Sequence, residues 1–199
     1  MKSGWAASVL LVGPPTSPRV AGSRRIELSD PAEPESRQPY HAGFGTARAV
    51  GPELSRLVDS VRQFGKQSVT DLIQHYRAAG YELAGIGVVV GSLIEPERIG
   101  NEHIRIHALE GRLFRSVVEE AAAGSEVPCS IWRERDLYAA AAEALRQPEQ
   151  RVRATVAELG GAVGGSWRAE QKGATVAAWL VLALGVPAAP SRRGKTAFR

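Results

Sequence analysis

Apolar residues recur along this chain in two different rhythms, and the changes of rhythm mark its elements. Residues 5–12, WAASVLLV, are short and β-compatible, and they stop at Gly13-Pro14-Pro15. Residues 19–28 follow, with Val20, Ile26 and Leu28 as apolar positions. The Gly-Pro-Pro-Thr-Ser-Pro connection predicts an antiparallel hairpin with a loop longer than the tightest type. Residues 30–51 then lose periodicity among Pro31, Pro34, Pro39 and several glycines, as a loop crossing the fold does. From Pro52 to Ala79 the spacing becomes helical: Leu54, Leu57, Val58, Val61 and Phe64, then Val69, Leu72, Ile73 and Tyr76. Gly65 is expected to break or bend this helix, with Ser68 capping a second one.

The pattern changes again at residues 82–92. Ile86, Val88, Val89 and Val90 form an apolar run without alternation, expected of a central strand covered by helices on both faces. Pro96 and Gly100 bound a loop. A helix is predicted from Asn101 to Ala123, ended by Gly124, and a further strand over residues 127–132. Strand, helix, strand in this order is a parallel crossover unit. Residues 133–145 read as helical. Pro148 suits the first turn of the next helix, whose stripe is Val152, Val156 and Leu159. Glycines 160, 161, 164 and 165 form a flexible break, and a last helix spans residues 169–184. The domain is expected to occupy residues 1–186, with 187–199 as a basic disordered tail.

Composition changes this picture little. The formal net charge of +4 permits a polyanionic partner without requiring one. A single cysteine, Cys129, excludes an intramolecular disulfide. It reads as a buried structural thiol in a strand and fits a reducing compartment. The start of the chain shows no clear cleavage site and reads as a first core strand, not a signal peptide, and the apolar segment 174–184 is too short to span a bilayer, so no membrane partner and a cytoplasmic location are expected.

Candidate chemistry concentrates on residues 101–115. His103 and His107 are one helical turn apart, and Glu110 follows three residues later. Two imidazoles and a carboxylate on one face suit a zinc-type ion with an open position. The spacing is not that of the HExxH metalloproteases, since Ile104 stands where a glutamate base would. Two other readings stay open. In one, Asn101 caps the helix and Glu110 pairs with Arg105 or Arg112. In the other, Asn101, His103, His107, Glu110 and Arg112 form a polar ligand surface at the carboxyl end of the central strand. His41, with Gly43 and Gly45, could also line a site, or be a solvated loop histidine.

The order of elements resembles the ribonuclease H-like fold: an α/β protein with a mixed sheet, an N-terminal β-hairpin and flanking helices. Within that superfamily the chain resembles the RuvC-type Holliday-junction resolvases. The resemblance rests on Ser3-Gly4-Trp5-Ala6, on Asn101 with Ala108, Leu109 and Gly111, on residues 131–138, on Glu149-Gln150-Arg151-Val152, and on residues 170–184. It implies a nuclease that holds two magnesium ions on carboxylates. The acids it requires are not in place. Lys2 and Ser3 precede Gly4, the central strand ends Val89-Val90-Gly91-Ser92, and only Glu95 and Glu170 could be retained acids. The resemblance therefore implies a non-catalytic relative with a nucleic-acid-binding (DNA or RNA) or accessory role. The alternative is a metal-dependent hydrolase or nuclease whose site, for magnesium or zinc, has moved to the 101–115 helix. A protein partner or homodimer is compatible with either.

Overall fold

A computed structural model describes residues 1–43, 45–161, 163–164 and 166–185. The tail expected over 187–199 lies outside the described residues. The protein is mixed α/β. β1 (Trp5–Val12) and β2 (Arg19–Glu27) form the expected antiparallel hairpin, with Trp5 opposite Glu27 and an irregularity between Leu10 and Leu11. Two short strands, β3 (His41–Gly43) and β4 (Thr46–Ala47), make a small ribbon inside the region expected to be loop.

α1 (Pro52–Ala78) is one continuous helix, not two. The expected break at Gly65 is absent because this glycine serves a close approach. A Cβ there would lie 2.7 Å from the Leu28 carbonyl oxygen and 2.8 Å from a Val117 methyl. The chain following β2 therefore presses on the middle of α1. Gly65→Ala would overpack this contact, at a cost of about 1–3 kcal/mol.

β5 (Ile86–Val90) is joined to β6 (Cys129–Arg133) in parallel, with Val88 opposite Ile131, and α2 (Glu102–Gly124) is the crossover between them. α2 starts where its sequence demands: the Asn101 side chain accepts a hydrogen bond from the Ile104 amide at 3.0 Å. Such caps are worth about 1 kcal/mol. α3 (Leu137–Leu145), α4 (Glu149–Gly161) and α5 (Ala169–Leu184) complete the described chain. Gly160 lies inside α4 instead of in the expected flexible break. Trp167 packs on its bare Cα and donates to the Val156 carbonyl at 2.9 Å.

Val88 and Val90 pack into a core with α1 and α2, while Val89 joins a second core built from α3, α4 and α5. Helices thus cover both faces of β5, which explains why its sequence does not alternate. Trp179 of α5 is fully buried, and its indole donates to the Pro15 carbonyl at 2.8 Å. Among the described residues, strands pair only in twos. The hairpin and the β5–β6 pair are not joined into one sheet, and Cα atoms of β1 and β5 scarcely come within 8 Å of each other. No helix among the described residues is long and apolar enough to cross a membrane.

Candidate metal centre

Three histidines meet where the β3–β4 ribbon touches the first turns of α2. His103 and His107 share a helical face, as their spacing requires. His41 comes from β3, more than sixty residues earlier, and stacks beside them. Ring centroids are 4.9 Å apart for His41 and His107, 4.7 Å for His103 and His107, and 6.2 Å for His41 and His103. One nitrogen from each ring lies within 4.8 Å of the other two.

The ribbon is held by Arg48. Its guanidinium donates to the Pro39 carbonyl at 3.0 Å and to the His41 carbonyl at 3.1 Å, and it pairs with Glu53 at 2.7 Å. This fixes the backbone on both sides of His41. Gly45 turns the ribbon with φ of +73°, and a Cβ there would stand 3.4 Å from His103 Nδ1. The left-handed turn calls for glycine, while the distance to His103 is an ordinary van der Waals contact.

Glu110 lies behind the imidazoles. Its side chain is 1% exposed, and its Oε1 is 2.7 Å from His41 Nδ1. Ser3 donates to Oε2 at 3.3 Å, and His107 Nδ1 stands 3.9 Å from that oxygen. Burial pushes the Glu110 carboxyl above the usual carboxylate range, opposed by its hydrogen bonds to His41 and Ser3. Desolvation, together with His41 and His103, holds His107 below the usual imidazole value. Both effects favour uncharged forms in a crowded site. A neutral imidazole is what a metal ligand must be.

The other residues of interest go elsewhere. Asn101 is engaged as the helix cap. Arg112 turns to the surface, pairing with Glu97 at 2.9 Å and Glu95 at 3.6 Å. Arg105 pairs with Glu102, so neither arginine is the partner of Glu110. Glu170 faces Lys2 at 3.5 Å. Glu95, Glu110 and Glu170 do not gather into a ligand group among the described residues. Glu110 also stands outside the set of clustered nitrogens, and His41 takes the third place.

Sequence alone marked His41 as a possible site residue but gave no reason to join it to α2. Ser3, read in the sequence only as part of the Ser3-Gly4-Trp5-Ala6 segment, and Arg48 carried no signal that joined them to this cluster. Burial of Glu110 was the one feature with a sequence trace: position 110 falls on the apolar stripe of Ile106, Leu113 and Val117. Cys129 lies apart from the cluster, and burial pushes its thiol up to about 11. Compared with protein-family models, with curated proteins and with solved structures, the chain shows no match.

Proposed function

We propose that this protein binds one first-row divalent metal ion, zinc foremost, on His41, His103 and His107, and uses it in hydrolytic chemistry. The observation that carries this reading is the meeting of three imidazole nitrogens beside a buried carboxylate. Nitrogen donors suit zinc and its neighbours, whereas magnesium prefers oxygen, so the imidazole set favours zinc over magnesium. Ligand atoms around a tetrahedral zinc stand about 3.4 Å apart, given Zn–N distances of about 2.0–2.1 Å. The side chain of His107 is 48% exposed, so it has room to rotate and close the set. Three protein ligands at an exposed site leave the fourth position to water, the arrangement of catalytic zinc centres. The ion would polarise a carbonyl or phosphoryl oxygen and acidify the water beside it. Glu110 would accept from His41 Nδ1, leaving Nε2 for the metal, as carboxylates commonly do behind ligating histidines.

The test is metal analysis of purified protein, followed by zinc titration of the metal-free form. One equivalent of tightly held zinc, lost in His107→Ala, is the expected result. Equal and negligible zinc in both proteins would overturn the reading.

A second reading is a ribonuclease H-like relative that binds nucleic acid without cutting it. The hairpin, helix and parallel crossover in sequence order support it. The division between β1 and β5 counts against it. Its expected signature is binding to DNA or RNA that weakens steeply as salt rises. Undetectable binding at low salt removes it.

A further inference from the structure

The carboxylate of Glu110 has two oxygens, and three side chains compete to donate to them. Oε1 faces His41 Nδ1 at 2.7 Å. Oε2 lies 3.3 Å from the Ser3 hydroxyl and 3.9 Å from His107 Nδ1. The carboxylate can therefore serve one imidazole or two, and the choice matters to a metal ion. Behind His41 it fixes the ring and leaves Nε2 for the ion. The same grip on His107 would pin a ring that has to rotate to complete the ligand set.

Ser3 is placed to make that choice. It reaches α2 from the start of the chain, on a turn that is held from several sides. The Lys2 amide donates to the Trp5 carbonyl at 2.9 Å and the Trp5 amide to the Lys2 carbonyl at 3.4 Å, with Ser3 and Gly4 as the two residues between. Gly4 has φ of +78°, the conformation that a type II turn requires at its second central position. Its carbonyl accepts from the amides of Leu28 at 2.8 Å and Ser29 at 3.2 Å, just past the end of β2. A Cβ on Gly4 would fall 2.6 Å from Ser29 Oγ and 2.6 Å from Arg37 Cγ, so the turn is wedged against both neighbours. Before the turn, the Met1 amino nitrogen donates to the Val89 carbonyl at 3.3 Å, and Lys2 pairs with Glu170 at 3.5 Å. A turn tied down at this many points cannot easily carry its hydroxyl away from Glu110.

Burial is what makes one hydroxyl count. The Glu110 side chain is 1% exposed, so Oε2 has no bulk solvent to fall back on. A buried acceptor that loses its donor pays its desolvation in full. With Ser3 gone, the next donor is His107 Nδ1, and a small rotation of the carboxylate or of the ring would join them. The side chain of His107 is 48% exposed as it stands, and that capture would draw it inward.

We propose that Ser3 is a positioning residue of the metal centre: its hydroxyl occupies Oε2 of Glu110, so that the carboxylate orients His41 alone and His107 stays free to reach the ion. This rests on the reading of His41, His103 and His107 as zinc ligands. Ser3 touches neither the ion nor a substrate and acts only through Glu110.

The experiment uses the whole chain, the variant Ser3→Ala, and the pair Ser3→Thr and Ser3→Val, which match in shape and differ in the hydroxyl. NMR of nitrogen-labelled imidazoles in the metal-free protein, in mildly alkaline solution, reads the tautomers without any zinc. His41 should be held in the Nδ1–H form and His107 should not. In Ser3→Ala and Ser3→Val, His107 should shift toward the Nδ1–H form, and in Ser3→Thr it should keep the parent spectrum. Zinc should bind about tenfold more weakly to Ser3→Ala and Ser3→Val, and within about twofold of the parent to Ser3→Thr. An unchanged His107 spectrum in Ser3→Ala overturns the proposal whether or not zinc binds. Unchanged zinc affinity in Ser3→Ala, in a parent that does bind zinc, overturns it as well. So do equal losses in Ser3→Thr and Ser3→Val, because shape and not the hydroxyl would then be at work. A parent that binds no zinc, with the His107 shift still present in Ser3→Ala, removes the zinc reading and leaves the hold of Ser3 on Glu110 standing.

Discussion

The two faces of α2 carry similar residues and have different fates. On one face Arg105 and Arg112 find acids within hydrogen-bonding or ion-pair reach, all of them well exposed. On the other, Glu110 is almost wholly out of water and answers to a histidine from another element. Charges on the first face are solvated, and their pairs are worth about 0–1 kcal/mol each. The second face has exchanged solvent for fixed partners, so each group there depends on the next. Burial, more than the density of charge, distinguishes a candidate site from a decorated surface.

The comparison breaks most readily at the histidines. His41→Ala should lower zinc affinity at least about a hundredfold, since a ligand is worth more than the 10–100-fold typical of the groups behind it. Isothermal titration of the metal-free protein measures this, and an unchanged affinity would remove His41 from the site. Glu110→Gln comes next, with an expected loss of about 10–100-fold in zinc affinity while the fold is retained. Thermal melting of that variant should show no large loss of stability, because the carboxylate is already held at a cost by its burial.

Acidity gives a smaller, graded effect. Zinc affinity should fall as the solution is made acid, by up to about tenfold per pH unit for each imidazole that takes a proton. Folding responds in the same direction through His107. Its value is lowered in the folded state, so the unfolded chain binds the proton more readily, and stability is lost as pH falls below the unperturbed imidazole range. Titrations from pH 8 to pH 5 would show both trends, and rising affinity in acid would contradict them. Smallest of all, Arg112→Ala should change stability by no more than about 1 kcal/mol and leave zinc affinity alone. A large loss of zinc on that substitution would mean the two faces are not separate after all.

Much of the fold was legible because local rules and burial agreed. The hairpin, the parallel β5–β6 pair, the Asn101 cap and the last helix all follow from apolar rhythm and cap chemistry. Where the reading failed, a long-range contact had overridden a local preference. Gly65 and Gly160 look like breaks in sequence, but each makes room for a neighbour, Leu28 in one case and Trp167 in the other. The candidate site was half legible for the same reason. His103 and His107 share a face by helical spacing alone, whereas His41 joins them only through the ribbon fixed by Arg48. The division between β1 and β5 left no trace in the pattern, because an apolar strand reads the same whether its edge is paired or empty.

The hydrogen bond from Trp179 to the Pro15 carbonyl has a bearing on how the protein is made. It links the first hairpin to the last described helix, and α5 is also what covers β1. A ribosome emitting this chain delivers the hairpin well before its cover, with about 140 residues between Glu27 and Ala169. Through most of synthesis Leu11 and Val20 have no core to enter, and the hairpin must wait in a form that chaperones can recognise. Folding of this half is therefore a late event tied to release of α5, and a nascent chain stalled before residue 169 should remain sensitive to protease within β1 and β2.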